Sequence, residues 1–260
     1  MNTSFADIEK KENRKDLIIS ICVFLSGFSC FAQLYYFQPL LPDLAKDFIL
    51  SASESSFAIS FSTLGMVFGL FTTMFVADRI PRKKMIGTGL LSSSIFSVAA
   101  SFSPTFLPLI LLSAAKGFLL SGATSVSMAY IAEEVSSRNK GKIMGLYIAG
   151  NALGGMAGRV ISSWIGALYT WRIASVSIGL ICALFAILFL LFSPRSTNFM
   201  PRKESFHTLI IANLQLITSK ALIPFYLTGG LILGVFVSLY NYLGFYLTKA
   251  PFNFPEHIFI

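Results

Sequence analysis

The chain has 260 residues, of which 55% are hydrophobic, 14% are aromatic and only 12% are charged. Soluble globular domains usually carry about 25% charged residues, and an intrinsically disordered chain would not contain 26 phenylalanines. The composition therefore excludes both classes. Because lipid offers no hydrogen-bond partner for an open sheet edge or an irregular backbone, the sequence predicts an all-α, polytopic membrane protein.

Seven predicted spans follow one another along the chain, each providing the roughly 20 apolar residues that a membrane crossing requires. Charges, prolines and polar clusters divide them, and the prolines near residue 104 separate spans three and four because proline ends a helix. The predicted spans are 17–37, 55–77, 85–103, 106–131, 143–168, 172–193 and 221–247. We expect residues 255–260 to begin an eighth span that the chain does not complete.

Lysine and arginine residues are concentrated in alternate connections between the predicted spans. Fifteen of them precede span one or lie between spans two and three, four and five, or six and seven, whereas Lys46, Arg172 and Lys249 lie on the opposite side. Positively charged connections stay in the cytoplasm, so the sequence predicts a cytoplasmic amino terminus. The net charge of +8 follows from this asymmetry and indicates a lipid bilayer as partner, with no nucleic acid.

These boundaries divide the chain into four parts. We expect a cytoplasmic amino terminus at 1–16, a six-helix transmembrane bundle at 17–193, a central cytoplasmic linker at 194–220 and the start of a second bundle at 221–260. Within the linker, apolar residues recur at helical spacing from Phe206 to Ile217. Two alternatives remain open for this segment, namely a helix lying in the membrane interface and the beginning of span seven.

The connection after span two resembles the signature loop of the major facilitator superfamily, G-x-x-x-D-R/K-x-G-R/K-R/K. Four positions of the motif are retained: Asp78, Arg79, Arg82 and Lys83. Met74 and Pro81 stand where the family has glycine. The resemblance implies that Asp78 binds a helix amino terminus and an arginine of the other half of the protein, and so latches an inner gate. The alternative is a loop whose charges only set the topology.

Four further segments resemble the same family at the expected intervals: 35–42, 133–142, 145–159 and 171–173. The resemblance covers about residues 17–250 and implies the amino-terminal six-helix half of a two-repeat fold plus a seventh span. It also implies a secondary transporter that exports a small solute through the bacterial inner membrane, with proton coupling left open. Since complete members have about twelve spans, it implies a truncated chain that needs its carboxy-terminal half or a second chain to transport.

Span five carries a run of glycines, and we expect four of them to pack against another helix: Gly150, Gly154, Gly155 and Gly158. Small residues four apart let a neighbouring helix approach the backbone closely. Exporters of the family often have Gly-Pro at this point, whereas this chain has Gly150 followed by Asn151.

Two cations lie inside predicted spans, Lys116 in span four and Arg159 in span five. Each would be costly against lipid, so each is expected to face a cavity or a partner. The family has an arginine at the position of Ser113, and the resemblance suggests that Lys116 supplies that cation instead. For Arg159 the alternative is snorkelling to the outer interface. Neutral side chains that could contribute hydrogen bonds to the same cavity are Gln33, Tyr35, Tyr36, Asn241 and Tyr242.

Other functional classes receive less support. The predicted spans contain no acidic residue, and the sequence shows no catalytic motif or metal-ligand spacing, so we expect neither an enzyme nor a bound metal or cofactor. A seven-helix receptor would place its amino terminus outside, and Lys249 lies at the end of span seven rather than at its middle. A receptor-like protein, or a half-transporter subunit that waits for a partner chain, remains the alternative to a transporter.

Overall fold

A computed structural model describes residues 5–201 and 206–247, and the secondary structure within these ranges is helical. The α-helices are α1 (Phe5–Tyr35), α2 (Leu41–Asp47), α3 (Ala52–Ser55), α4 (Phe57–Val76), α5 (Arg82–Ser101), α6 (Phe106–Glu134), α7 (Lys140–Leu168), α8 (Trp171–Phe192), α9 (Phe206–Ile217) and α10 (Ile223–Leu247). A 3₁₀ turn, Ala77–Arg79, follows α4. The predicted all-α fold class is confirmed.

Five of these helices are long and apolar enough to cross a membrane: α1, α4, α6, α8 and α10. Helices α5 and α7 have 20 and 29 residues, which is long enough at about 1.5 Å per residue. They are less apolar because α5 is rich in serine and α7 in glycine. The chain is therefore a multi-pass membrane protein, while the count of seven spans stays a prediction.

The linker helix α9 is separate from α10. The chain turns between them at residues 218–222, where the Ser219 carbonyl oxygen accepts hydrogen bonds from the backbone N–H groups of Leu222 and Ile223. The segment 206–217 is thus not the beginning of span seven, and that alternative is wrong. Its location in a membrane interface stays a prediction, and the expected start of an eighth span at 255–260 lies outside the described residues.

Packing of the helices produces two apolar clusters, one toward each end of the bundle. Helix α1 packs on α7 and α8, α4 packs on α6, and α5 packs between α6 and α8. One cluster surrounds Ile19, Leu90 and Tyr130, near the start of α1 and the end of α6. The other surrounds Tyr36 and Trp171, near the end of α1 and the start of α8. Polar side chains cover both ends and supply the candidate sites described below.

Helices α1 and α7 approach closely because three α7 glycines, spaced four residues apart, face the α1 backbone: Gly150, Gly154 and Gly158. A Cβ atom added at Gly154 would lie 2.2 Å from the carbonyl oxygen of Phe28. One added at Gly158 would lie 2.7 Å from Cα of Ala32. Both are far inside van der Waals contact, so the distance between α1 and α7 depends on the missing side chains.

Helices α4 and α6 also approach each other closely at glycines, a contact that the sequence did not predict. A Cβ atom at Gly117 would lie 1.8 Å from the Ser62 carbonyl oxygen, and one at Gly65 would lie 2.0 Å from the carbonyl oxygen of Ala114. Two pairs of helices within the bundle are therefore joined at backbone contact, which fixes the register of the side chains that they carry.

Candidate substrate and gating site

The predicted gating loop is organised around Arg82, the buried first residue of α5. Its Nη2 atom donates to Asp78 Oδ1 at 2.9 Å and to Glu133 Oε1 at 3.0 Å, and Nη1 donates to the carbonyl oxygen of Ala77 at 2.7 Å. Burial by itself lowers the pKa of Arg82, but the ion pairs with Glu133 and Asp78 outweigh this effect and raise the pKa above its usual value. Arg82 therefore ties the turn after α4 to the end of α6.

The other basic residues of the loop have different environments. Lys83 donates from Nζ to the carbonyl oxygen of Ser193, and its backbone N–H donates to Ser196 Oγ at 3.0 Å, so it holds the end of α8. Burial lowers the pKa of Lys83. Arg79 is exposed on the 3₁₀ turn. Asp78 pairs with Arg82 inside the same loop, and its expected role as a latch to the other half stays a prediction.

Carboxylates at the helix ends complete this network, and the sequence analysis did not select them. Lys15 Nζ donates to Glu134 Oε2 at 2.8 Å, and Glu134 Oε1 accepts from the backbone N–H of Asn198 at 2.7 Å. Asp16 accepts from the Asn139 side chain at 2.8 Å. The start of α1, the end of α6 and the start of the linker are thereby joined. Their proximity could not be read from the sequence, because the paired residues are 64 to 123 positions apart.

The opposite end of the bundle has its own ion pair. Arg172, at the start of α8, donates from Nη2 to Asp47 Oδ2 at 3.0 Å and from Nη1 to the carbonyl oxygens of Ser101 and Ser103. The guanidinium also lies 4.4 Å from the centre of the Trp171 ring. Arg172 therefore connects α2, α5 and α8.

Arg159 on α7 lies in an aromatic site that also includes α10. The centre of its guanidinium is 4.6 Å from the Tyr35 ring centroid, 4.8 Å from that of Tyr240 and 5.4 Å from that of Phe236. Its Nε donates to Gln38 Oε1, and Nη1 donates to the carbonyl oxygen one turn earlier on α7 at 2.8 Å. The structure thus directs Arg159 toward α1 and α10. The cavity role and the snorkelling alternative both stay predictions.

The Gln38 side chain links this arginine to α10. Gln38 is buried, and its Nε2 donates to Asn241 Oδ1 at 2.9 Å while its Oε1 accepts from Arg159. The fourth predicted packing glycine, Gly155, faces the same place, because a Cβ atom added there would lie 3.4 Å from Arg159 Nη1. Three candidate residues of the sequence analysis therefore meet here: Tyr35, Arg159 and Asn241.

One donor of the Arg159 guanidinium remains unused. The Nη2 atom is buried and has no hydrogen-bond acceptor within the described part of the chain. A buried donor without a partner costs about 1–3 kcal/mol, and more for a charged group. Contacts with aromatic faces offset part of this cost, at about 0.5–2 kcal/mol each. The site therefore surrounds the guanidinium with aromatic rings and leaves Nη2 without an acceptor among the described residues.

Lys116 lies on the other side of the end of α1. Its side chain is 1% exposed, and Nζ lies 4.5 Å from the Tyr36 ring centroid and 4.9 Å from that of Phe37. Among the described residues Nζ has no hydrogen-bond partner, and neither has the buried hydroxyl of Ser113. The structure buries Lys116 beside a pair of aromatic rings, and its opening to a cavity stays a prediction.

Gln33 belongs to a buried polar chain near Lys116 rather than to the Arg159 site. Ser97 Oγ donates to Gln33 Oε1 at 3.2 Å, Ser175 Oγ donates to the Ser97 carbonyl oxygen at 2.9 Å, and Ser175 also bonds the Tyr36 hydroxyl at 2.8 Å. Gln33 Nε2 has no partner in the described ranges. The predicted cavity residues therefore form two groups, separated by the last turn of α1.

Sequence reasoning missed three members of the Arg159 site: Gln38, Phe236 and Tyr240. A signal existed for Gln38, because it lies within the segment 35–42 that resembles the family. Phe236 and Tyr240 are four residues apart and so share a face of α10, yet nothing in the sequence indicates that this face meets an arginine on α7.

Comparison with known proteins agrees with this architecture. A family model described as "Major Facilitator Superfamily" matches residues 20–257. An uncharacterized transporter of Buchnera aphidicola subsp. Schizaphis graminum is 35% identical over 245 residues, 94% of this chain and 59% of the relative. The inner membrane transport protein YnfM of Escherichia coli K12 is 34% identical over 241 residues, 92% of this chain and 58% of YnfM. The uncharacterized MFS-type transporter YybF of Bacillus subtilis is 32% identical over 246 residues, 93% of this chain and 61% of YybF.

The chain thus spans about three-fifths of the length of these curated relatives, all of which are named as transporters. Since the family model covers most of the chain, and the helices and the loop after α4 are those that the resemblance implied, this protein is a member of the major facilitator superfamily.

Proposed function

We propose that this chain takes part in secondary active transport and exports a small solute by alternating access. The observation that carries the proposal is the bridge from Arg159 through Gln38 to Asn241, because it joins the first six-helix bundle to the helix that follows it. In transporters built from two repeats, contacts between the repeats must form on one side of the membrane and break on the other. A polar bridge of a few hydrogen bonds is strong enough to hold α10 and weak enough to release it.

The topology that goes with this proposal is the one expected from the basic connections. Residues 1–16 and 194–220 are cytoplasmic, 17–193 form the first bundle, and 221–260 begin the second. The network around Arg82 then lies on the cytoplasmic side, and the bridge at Gln38 lies toward the opposite side. The similarity to the inner membrane transport protein YnfM supports a location in the bacterial inner membrane.

The same proposal specifies what this chain would contact in the membrane. The chain would meet the lipid bilayer and a small solute, and the remaining spans would be supplied by further carboxy-terminal sequence or by a second chain. The predicted spans contain no Asp or Glu, so coupling to protons within them would have to use other groups.

Cross-linking tests the bridge directly. Gln38→Cys and Asn241→Cys are introduced together after Cys22, Cys30 and Cys182 are replaced, in a chimaera that continues this chain with the part of YnfM beyond the match. Uptake of a panel of radiolabelled small solutes is then measured in proteoliposomes, with and without a pH gradient. Oxidation should stop transport and reduction should restore it, because the bridge cannot open when it is cross-linked.

Each single-cysteine variant provides a control, since it cannot form the cross-link. A doubly substituted chimaera that is fully cross-linked and still transports at the uncross-linked rate would refute alternating access through this contact. Absence of transport for every solute in the uncross-linked chimaera would refute the proposed function itself.

Asp78→Asn in the same chimaera tests the gating loop. Transport should fall about tenfold or more, while the amount inserted in the membrane stays the same because the span's hydrophobicity is unchanged. Lys84→Gln, an exposed change in the same loop, should have no effect. Normal transport by Asp78→Asn would leave the loop with a purely topological role.

A further inference from the structure

Arg159 differs from the other arginines that lie at helix contacts. Arg82 pairs with Asp78 and Glu133, and Arg172 pairs with Asp47. In the described part of the chain, no carboxylate lies within ion-pair distance of Arg159. An arginine directed into the protein without a counter-charge indicates either a purely structural role or an anionic ligand.

The geometry around the guanidinium favours a ligand. Three aromatic rings lie over it, and Nε and Nη1 have acceptors, whereas the buried Nη2 has none among the described residues. Carboxylates bind guanidinium groups along an edge, in the plane of the group, and aromatic rings bind its faces. The rings thus surround the guanidinium, while Nη2 remains available for an anion's oxygen atom.

Helix α10 covers this site with few contacts of its own. Phe236 and Tyr240 touch the guanidinium although each ring is also partly exposed, at 42% and 37%. The apolar stretch of α10 over Ile223–Leu243 is otherwise unburied within the described structure. Helix α10 is held at this site by two aromatic rings and by the hydrogen bond from Gln38 to Asn241. A ligand that binds Arg159 more strongly can therefore displace it.

We propose that Arg159 is an anion-binding residue, that its ligand is a small organic carboxylate with a flat apolar body, and that the ligand competes with α10 for the site. The carboxylate takes the Nη2 edge and replaces the amide of Gln38, and the apolar body stacks beside Tyr35. This inference rests on the proposed function only in regarding the ligand as cargo, because binding can be measured without transport.

The test uses the full chain purified in detergent and radiolabelled benzoate as the probe. Saturable benzoate binding is expected, with no competition from benzamide, which has the same shape without the charge. Arg159→Gln should weaken binding at least tenfold. The matched control is Arg172→Gln, which removes an arginine already paired with a carboxylate and should leave the benzoate affinity unchanged.

Two further variants keep the inference testable if Arg159→Gln does not fold. Arg159→Lys preserves the charge and should weaken benzoate binding several-fold, because an ammonium cannot bind a carboxylate bidentately. Asn241→Ala removes the hydrogen bond that holds α10 to Gln38 and should strengthen benzoate binding several-fold. Weaker binding by Asn241→Ala would overturn the competition with α10.

Several outcomes would overturn the anion site. These are absence of saturable benzoate binding, equal competition by benzamide, equal affinity in Arg159→Gln and wild type, and loss of binding in Lys116→Gln with Arg159→Gln unaffected. Phosphate that displaces benzoate as well as unlabelled benzoate does would overturn the choice of an organic carboxylate. Benzoate binding together with absence of transport for every solute tested in the chimaera would refute the transport proposal and leave this inference intact.

Discussion

Substituting alanine for Gly154 tests the packing of α7 on α1, because it adds a single methyl group at the closest point between the two helices. The new Cβ would lie 2.2 Å from the Phe28 carbonyl oxygen and 2.5 Å from its Cα. These are backbone atoms, so no side-chain rotation can relieve the contact. Ordinary contact begins near 3.4 Å, and the helices would therefore have to separate by roughly 1 Å.

Gly145→Ala is the matched control on the same helix. No atom lies within 4 Å of a Cβ added there, so the change should stabilise α7 by about 0.5–1 kcal/mol through reduced backbone entropy. Overpacking at Gly154 should cost about 1–3 kcal/mol. The two variants should therefore differ by about 1.5–4 kcal/mol, or about 3–16 °C in Tm at about 2–4 °C per kcal/mol.

The native cysteines provide the measurement. Cys22, Cys30 and Cys182 are free and buried, so a thiol-reactive dye added to the detergent-purified protein reports unfolding as the temperature rises. Gly154→Ala should unfold at a lower temperature than wild type and Gly145→Ala at a slightly higher one. Equal Tm values for the two variants would refute the claim that backbone contact sets the distance between α1 and α7.

Three further predictions concern the topology and the cations. In a cysteine-free background, an impermeant thiol reagent added to intact cells should modify Thr105→Cys and leave Ser137→Cys unmodified; the reverse pattern would invert the proposed orientation. Arg82→Gln should lower the free energy of unfolding by about 1–3 kcal/mol, with Lys84→Gln as an exposed control, and equal Tm values would show that the buried network contributes nothing. Lys116→Met should leave the free energy of unfolding unchanged or raise it by about 1 kcal/mol or more, because the substitution removes a buried cation that has no hydrogen-bond acceptor among the described residues. A marked fall in Tm would contradict the environment described for Lys116.

The sequence predicted the features that depend on composition and spacing. Helical spans follow from hydrophobicity, and the three glycines at Gly150, Gly154 and Gly158 share one face because their spacing is that of a helix turn. The helix that this face meets could not be predicted, because register between helices is set by shape complementarity across the whole bundle. The short helix α3 could have been found, since Ser51 and Glu54 form a capping box with its recognisable spacing.

The candidate site was predicted only in part, for a related reason. Lys116 and Arg159 were expected to need partners because bare charge in lipid is costly. Their main partners turned out to be aromatic rings, which carry no charge pattern that a sequence can reveal. Gln38 lies 121 residues from Arg159, and only the completed fold shows that its amide joins two helices.

Buried serines on α5 have a consequence for biogenesis. Four of them lie in the bundle interior: Ser93, Ser94, Ser97 and Ser101. Because each segment that leaves the translocon enters lipid according to its own hydrophobicity, α5 would insert poorly into the membrane by itself. Its apolar neighbour α6 packs along it and follows after residues 102–105. The two should enter the bilayer as a hairpin, so a ribosome stalled before α6 emerges would leave α5 outside the membrane.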